Sequence, residues 1–158
     1  MTARAAQPAA VRPMATADIP PVAVLEKALF GAEAWSPAML AGELAQVPDA
    51  RYYLVAVDDD VITGYAGLMA GAGTQADVVT LAVAEHRWGE GIGGALLDSL
   101  LSEARRRGCA EVFLECRVDN ERAQRLYRAR GFAAVGIRPG YYQPSGADAL
   151  VMRWGEAG

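Results

Sequence analysis

A glycine-rich segment following Arg87 is the part of this sequence whose spacing most directly indicates ligand chemistry. Residues 89–94 read G-x-G-x-G-G and lie between a β-rich run and an amphipathic helix. Glycines in such a turn let backbone amides converge on an anion, and a helix N-terminus adds partial positive charge. The segment therefore predicts a pyrophosphate site. The alternative is a tight turn whose glycines only permit close packing.

The features that this segment lacks narrow the class of phosphate ligand. It does not match the G-x-G-x-x-G dinucleotide pattern, and a P-loop lysine is missing because Lys27 is the only lysine in the chain. A dinucleotide-binding fold places its turn after the first strand, whereas at least three β runs precede this one. Coenzyme A also carries a pyrophosphate and remains compatible. Residues 86–138 are rich in arginine, which suits a phosphorylated ligand.

A carboxylate further along the chain is a candidate for acid–base chemistry. Glu115 lies within the apolar run 112–116, where partial burial would raise its pKa toward that of a general base. Strand alternation also places Glu115 on one face with Phe113 and Arg117, so a solvent-facing charge or an ion pair with Arg117 stays open. His86 is the alternative base, although its context is that of a loop residue.

A phenol and an amide share a face of the following predicted helix. That helix covers residues 120–130 and ends at Gly131. Residues 120, 123, 124 and 127 lie along one side of it, so Asn120 and Tyr127 can point to the same ligand. The alternative for Tyr127 is a ring that packs in the core.

The elements that must position these residues alternate in type. Helical periodicity covers residues 16–31, 36–47, 92–104 and 120–130, and β-rich runs cover residues 11–14, 52–57, 61–69, 76–83, 111–118, 132–137 and 149–154. Residues 58–60, three aspartates, are expected to form a solvated hairpin and not a metal site. This order predicts an α/β domain with a mostly antiparallel first half and a strand–helix–strand crossover.

Composition limits the functional classes. The 158 residues are 53% hydrophobic with a net charge of −4, as expected for one globular domain over residues 11–154 behind a disordered tail over 1–10. We expect a cytoplasmic protein without a membrane or nucleic-acid partner, because the chain shows neither a transmembrane run nor an aromatic–basic stripe. Cys109 and Cys116 are expected as reduced, packed thiols, and a single histidine argues against a metal.

Two segments resemble the signatures of the GNAT superfamily of N-acetyltransferases. Residues 81–83, 89–94 and 95–97 are similar to its acetyl-CoA-binding strand, turn and helix, and residues 120–132 match N-x-x-A-x-x-L-Y-x-x-x-G-F at every position. Residues 114–117, 141–142 and 35–36 resemble the bacterial RimI family, which acetylates the N-terminal alanine of ribosomal proteins. The superfamily usually has Gln or Arg where this chain has Trp88, so Arg87 or the backbone amides are expected to take over that phosphate contact.

The resemblance implies a GNAT fold and direct acetyl transfer. It predicts a mostly antiparallel sheet of about seven strands with about four helices, splayed at the acetyl-CoA site. Glu115 would be the general base, Tyr127 the general acid for the leaving thiolate, and a backbone amide of residues 81–83 would meet the oxyanion. The expected acetyl-CoA contacts are Leu81, Ala82, Val83, Gly89, Glu90, Gly91, Ile92, Gly93, Gly94 and Asn120.

The expected acceptor is a protein α-amine, led by alanine and supplied by a small-subunit ribosomal protein. Trp35, Tyr141 and Tyr142 are polar-tipped aromatic residues that would hold the peptide near its amine, with ordinary packing as the alternative. A lysine side chain or a small-molecule amine remains an alternative acceptor. A non-catalytic acyl-CoA-binding module is the alternative outside the enzymes.

Overall fold

The computed structural model describes residues 10–71 and 73–155, which form a mixed α/β domain. Its strands are β1 (Ala10–Pro13), β2 (Arg51–Asp58), β3 (Val61–Met69), β4 (Gln75–Val83), β5 (Glu111–Arg117), β6 (Ala133–Arg138) and β7 (Ala149–Gly155). Its helices are α1 (Ile19–Phe30), α2 (Pro37–Leu44), α3 (Ile92–Arg106) and α4 (Glu121–Ala129). The predicted tail lies outside the described residues, apart from Ala10, which begins β1.

The strands form one sheet in the order β1-β2-β3-β4-β5-β7-β6. Strands β4 and β5 pair in parallel through the α3 crossover, and the other neighbouring strands pair antiparallel. The predicted α/β class, the antiparallel first half and the crossover are confirmed.

Helices cover both faces of the sheet. The buried residues of α3 include Leu96, Leu97, Leu100 and Ala104, whose helical spacing forms one apolar face. This face and Tyr127 of α4 belong to one core with the sheet, and Cys109 and Cys116 lie in the same core as free thiols. A second core on the opposite face joins α1 and α2 to the sheet.

Local signals account for both ends of α2. The Ser36 hydroxyl accepts a hydrogen bond of 3.1 Å from the Met39 amide and caps α2. Helix α2 ends at Leu44, so the prediction that it extends to Val47 is wrong. The amides of Gln46 and Val47 instead donate to carbonyls three residues back, and Pro48 disfavours a helical conformation for Val47.

The predicted hairpin between β2 and β3 is confirmed. Asp59 and Asp60 have φ angles of 52° and 64°, the left-handed pair that a type I′ two-residue hairpin turn requires.

None of the helices in residues 10–71 and 73–155 is long and apolar enough to span a bilayer.

Candidate active site

The sheet opens between β4 and β5. Their parallel pairing ends at Val78 and Leu114, beyond which β4 pairs only with β3 and β5 only with β7. A β-bulge lies at the same point, because Val78 pairs with Leu68 and Thr80 with Gly67, which leaves Val79 as an extra residue on β4. The bulge bends β4 away from β5 and creates a gap through the sheet.

A cavity of about 380 Å³ fills this gap. Its lining includes seven of the residues predicted as site residues, from β4, β5, the start and body of α4, and the acceptor loops. These are Trp35, Leu81, Glu115, Asn120, Tyr127, Tyr141 and Tyr142. The cavity therefore unites both predicted catalytic residues and the predicted acceptor residues, whereas Ala82, Val83 and residues 89–94 do not line it.

The free edge of β4 faces the gap with alternate residues. The Ala84 amide donates to the Thr63 carbonyl at 2.8 Å, and Ala82 is paired with Tyr65. Because an antiparallel ladder alternates, the backbone groups of Leu81 and Val83 point away from β3 and toward the gap. Either amide can meet an oxyanion there. Ala82 cannot, because its backbone faces β3.

The glycine turn lies against the same end of β4. Gly89 and Gly91 have φ angles of 83° and 86°, and a Cβ at either would meet open space. A Cβ at Gly93 would lie 3.2 Å from Leu126, and one at Gly94 would collide with the Arg130 guanidinium. The first two glycines thus leave an open backbone cradle before α3, while the last two permit close packing against α4.

The Glu115 side chain projects from β5 on the face of the sheet opposite to α3. Leu114 and Cys116 point into the α3 side of the sheet, so Glu115 projects toward the α1 side and is 19% exposed. Burial raises the pKa of Glu115 and the Asp77 charge raises it further, while Arg138, whose Nε lies 3.4 Å from the carboxylate, lowers it. The net upward direction suits a general base.

Arg117 is not the partner of Glu115. Its guanidinium contacts Glu33 at 2.9 Å and Asp119 at 3.1 Å. The alternative in which Glu115 pairs with Arg117 is therefore wrong. Glu115 forms its ion pair with Arg138 instead. His86 is exposed in the short 3-10 helix Glu85–Arg87 and does not line the cavity.

Tyr127 approaches the gap from the opposite side. Its ring is buried and packs edge-on against Phe132, with 5.7 Å between the ring centroids. Burial raises the pKa of Tyr127, which keeps the phenol protonated. Within residues 10–71 and 73–155 nothing hydrogen-bonds its hydroxyl, and no fully buried side-chain oxygen or nitrogen lacks a partner. The hydroxyl therefore opens into the cavity.

Asn120 caps α4 beneath this cavity. Its Oδ1 accepts a hydrogen bond of 3.0 Å from the Ala123 amide, which leaves its amide nitrogen as a donor toward the gap. The predicted shared orientation of Asn120 and Tyr127 is supported by their common place in the cavity lining.

The acceptor side of the cavity is built from aromatic residues on loops. Tyr141 and Tyr142 pack edge to face with ring centroids 5.0 Å apart, and the Arg138 and Arg117 guanidinium groups each lie 5.9 Å from one of these rings. The Trp35 amide donates to Glu26 Oε2 at 2.8 Å. These contacts hold the rings at the mouth on the α1 side of the gap.

Two carboxylates that line the cavity, Glu26 and Glu33, were not predicted from the sequence. Glu26 is 3% exposed and accepts hydrogen bonds from the Tyr65 hydroxyl and the Trp35 amide. Its signal was a carboxylate four residues after buried Val22 on the apolar face of α1. Glu33 accepts from Arg117 and Ser145, and this junction had no local signal because its partners lie 84 and 112 residues away.

This arrangement can carry out transfer across the sheet. A phosphorylated ligand held at the turn can extend along the β4 edge into the gap, with Tyr127 on its side. An amine entering between the loops meets Glu115 from the other side. The candidate base Glu115 and the candidate acid Tyr127 thus stand on opposite faces with a polar backbone edge between them, an arrangement compatible with direct acyl transfer.

Comparison with known proteins identifies relatives over nearly the whole chain. The chain is 39% identical to the N-alpha-acetyltransferase RimI of Mycobacterium tuberculosis, over 93% of this chain and 92% of that protein. It is 38% identical to an uncharacterised protein of Mycobacterium leprae, of which it spans 41% of the length. The crystal structure of the ribosomal-protein-S18-alanine N-acetyltransferase from Escherichia coli superposes with a TM-score of 0.79 at 27% identity, over 94% of this chain and 96% of that one.

The family match spans both segments that form the gap. Residues 22–132 match the acetyltransferase (GNAT) family, a range that includes β4, the glycine turn, β5 and α4. Together with the splayed sheet, this match shows that the chain belongs to the GNAT family of acetyl-CoA-dependent N-acetyltransferases.

Proposed function

We propose that this protein transfers the acetyl group of acetyl-CoA to the N-terminal α-amine of an alanine-led ribosomal protein. The observation that carries the proposal is the single cavity that joins Glu115, Tyr127 and the aromatic acceptor loops across the split sheet. The names of the Mycobacterium tuberculosis and Escherichia coli relatives support the α-amine and the ribosomal acceptor.

The residues of the gap fit acetyl-CoA. Gly89 and Gly91 leave an open backbone cradle at the start of α3 for the pyrophosphate. The backbone groups of Leu81 and the Val83 amide, which face the gap, can hydrogen-bond the pantetheine arm, and Asn120 adds a side-chain donor. The thioester would then lie near the Tyr127 hydroxyl.

Each catalytic group then has a defined proton to move. Glu115 accepts a proton from the acceptor amine, directly or through a water, as the nitrogen attacks the thioester carbonyl carbon. The Leu81 or Val83 amide donates to the oxygen that becomes negative. Tyr127 gives its phenolic proton to the sulfur when the C–S bond breaks, which completes an acetylated amine and a free thiol.

An α-amine suits a carboxylate base better than a lysine does. The α-amine pKa is about 8 and the lysine pKa about 10.4, so a smaller fraction of lysine is unprotonated at neutral pH. We expect the packed rings of Tyr141 and Tyr142 to narrow the acceptor mouth and so to favour a small first side chain.

A competition between two peptides tests the acceptor. One peptide begins with a free alanine and has its lysines blocked, and the other has a blocked N-terminus and free lysines. Mass spectrometry should find faster acetylation of the first peptide. Faster acetylation of the second would assign the protein to lysine acetylation, and no thiol release with either would point to a small-molecule amine.

A further inference from the structure

Trp88 bridges two elements at the entrance to the gap. Its indole Nε1 donates to the Val83 carbonyl at 2.8 Å, on the edge of β4 that faces the gap. The Arg122 guanidinium lies over the indole ring, with 3.6 Å between Cζ and the ring centroid. The tryptophan is thus fixed at the end of β4 and in turn fixes an arginine from the first turn of α4.

The Arg122 guanidinium makes neither a hydrogen bond nor an ion pair within the part of the chain that the structure describes. Arg87 by contrast contacts Asp58 and Glu90. Burial and the neighbouring Arg125 lower the pKa of Arg122, so its surroundings disfavour the positive charge. An anion bound beside it would relieve this cost.

The position of this pair points to the kind of anion. Trp88 directly precedes Gly89, and Gly91 follows two residues later at the N-terminus of α3. A Cβ at either glycine would meet open space. A stacked guanidinium retains its planar set of donors, the geometry that suits phosphate oxygens. The Arg122 guanidinium and the backbone of the glycine turn therefore flank the same position at the start of α3.

We propose that Arg122, held flat by Trp88, binds the pyrophosphate of acetyl-CoA. Trp88 stands where the superfamily usually has Gln or Arg, so this chain supplies its cation from α4 and uses the turn residue to orient it. Trp88 is a positioning residue in this scheme. The inference rests on the proposed placement of acetyl-CoA in the gap.

Direct binding measurements test the role of Arg122. In calorimetric titrations, Arg122→Gln should weaken acetyl-CoA binding by about tenfold or more, as expected for the loss of a hydrogen bond to a charged group. Arg125→Gln is the matched control, since it removes the same charge one turn along α4, and it should change the Kd by less than about threefold. Equal losses in the two variants, or no loss in Arg122→Gln, would overturn the assignment.

A double-mutant cycle tests the role of Trp88. Trp88→Ala should weaken binding about as much as Arg122→Gln, and the double variant should lose little more, because both changes remove the same phosphate contact. Additive losses would show that Trp88 does not act through Arg122.

The same titrations with 3′-dephospho-CoA identify the phosphate. The loss in Arg122→Gln should persist with this ligand, which keeps the pyrophosphate, and its disappearance would assign Arg122 to the 3′-phosphate instead. Failure of the wild-type protein to bind acetyl-CoA would contradict the proposed function. Tight wild-type binding with an unaffected Arg122→Gln variant would contradict this inference alone.

Discussion

In the proposed mechanism, Glu115 and Tyr127 have opposite tasks within one gap. Burial raises the pKa of both groups, but the consequences differ. For the carboxylate, the rise moves its pKa toward neutrality, where it can take up a proton. For the phenol, the rise keeps the proton in place until a strong base such as a thiolate forms beside it. The pKa of Glu115 also responds to two nearby charges, since Arg138 lowers it and Asp77 raises it.

Replacing Glu115 tests its proposed role as the general base. Glu115→Gln should lower turnover by about 100-fold or more at neutral pH, and the remaining activity should rise with pH as the amine loses its proton unaided. Thiol release from acetyl-CoA measures both effects. Glu111→Gln is the control, because Glu111 lies on the same face of β5 but outside the cavity, and it should retain nearly full turnover.

The pH profile of kcat/KM provides a second measure of the same residue. With Glu115 as the proposed base, its raised pKa predicts that activity is present above that pKa and is lost as pH falls through it. Since Arg138 lowers the pKa of Glu115, Arg138→Gln should move this acidic limb to higher pH. An unshifted limb, or full activity in Glu115→Gln, would contradict the assignment of the base.

Tyr127 should matter for chemistry and little for stability. Tyr127→Phe removes a hydroxyl that has no partner within the described residues, so the melting temperature should stay close to that of the wild type. Turnover should fall by about 100-fold while the Kd for acetyl-CoA changes little, because the lost proton is needed only when the C–S bond breaks. An equal fall in binding and turnover would assign the hydroxyl to cofactor binding instead.

At the scale of elements, periodicity predicted the strands and helices well because their signals are local. The sequence did not separate the two interpretations of the glycine turn, since both require glycine. In the structure each interpretation applies to a different glycine. Gly91 has a positive φ and an open side, whereas Gly94 packs closely against Arg130. The sequence also missed the partners of Glu115 and Arg117, because Arg138 and Glu33 lie on distant elements that only the folded sheet brings near.

The two ends of α3 offer a matched test of the turn. Gly91 and Gly108 both have positive φ, near 85°, and open space where a side chain would stand. Valine at either position should lower the melting temperature through backbone strain. Saturating acetyl-CoA should then stabilise Gly108→Val by mass action but fail to stabilise Gly91→Val. An equal ligand-induced shift in the two variants, measured by thermal denaturation, would exclude the turn from the acetyl-CoA site.

At the scale of the whole molecule, the acceptor mouth depends on a junction of three segments. Glu33, which follows α1, accepts from Arg117 Nη1 at 2.9 Å and from the Ser145 amide at 3.1 Å, and it also bonds the Ser145 hydroxyl. The junction thus links the α1–α2 connection, the end of β5 and the β6–β7 loop that carries Tyr141 and Tyr142. The hydrogen bonds from Ser145 are the main cause of the lowered pKa of Glu33, so the junction is charged at neutral pH.

Breaking this junction should affect the acceptor and spare the cofactor. Glu33→Gln weakens the bonds to Arg117 and Ser145, so the loop bearing Tyr141 should lose its fixed position and the KM for an alanine-led peptide should rise several-fold. The Kd for acetyl-CoA should not change, because the turn and the β4 edge lie on the other side of the gap.

Glu43→Gln is the matched control, since Glu43 also joins an arginine and a hydroxyl, Arg51 at 2.9 Å and Tyr53 at 2.6 Å, but lies outside the cavity lining. Because both variants lose a charged junction, both should melt at lower temperature, but only Glu33→Gln should raise the peptide KM. A parallel rise in both variants would attribute the effect to general destabilisation, and an unchanged KM in Glu33→Gln would show that the loops hold the peptide without this junction.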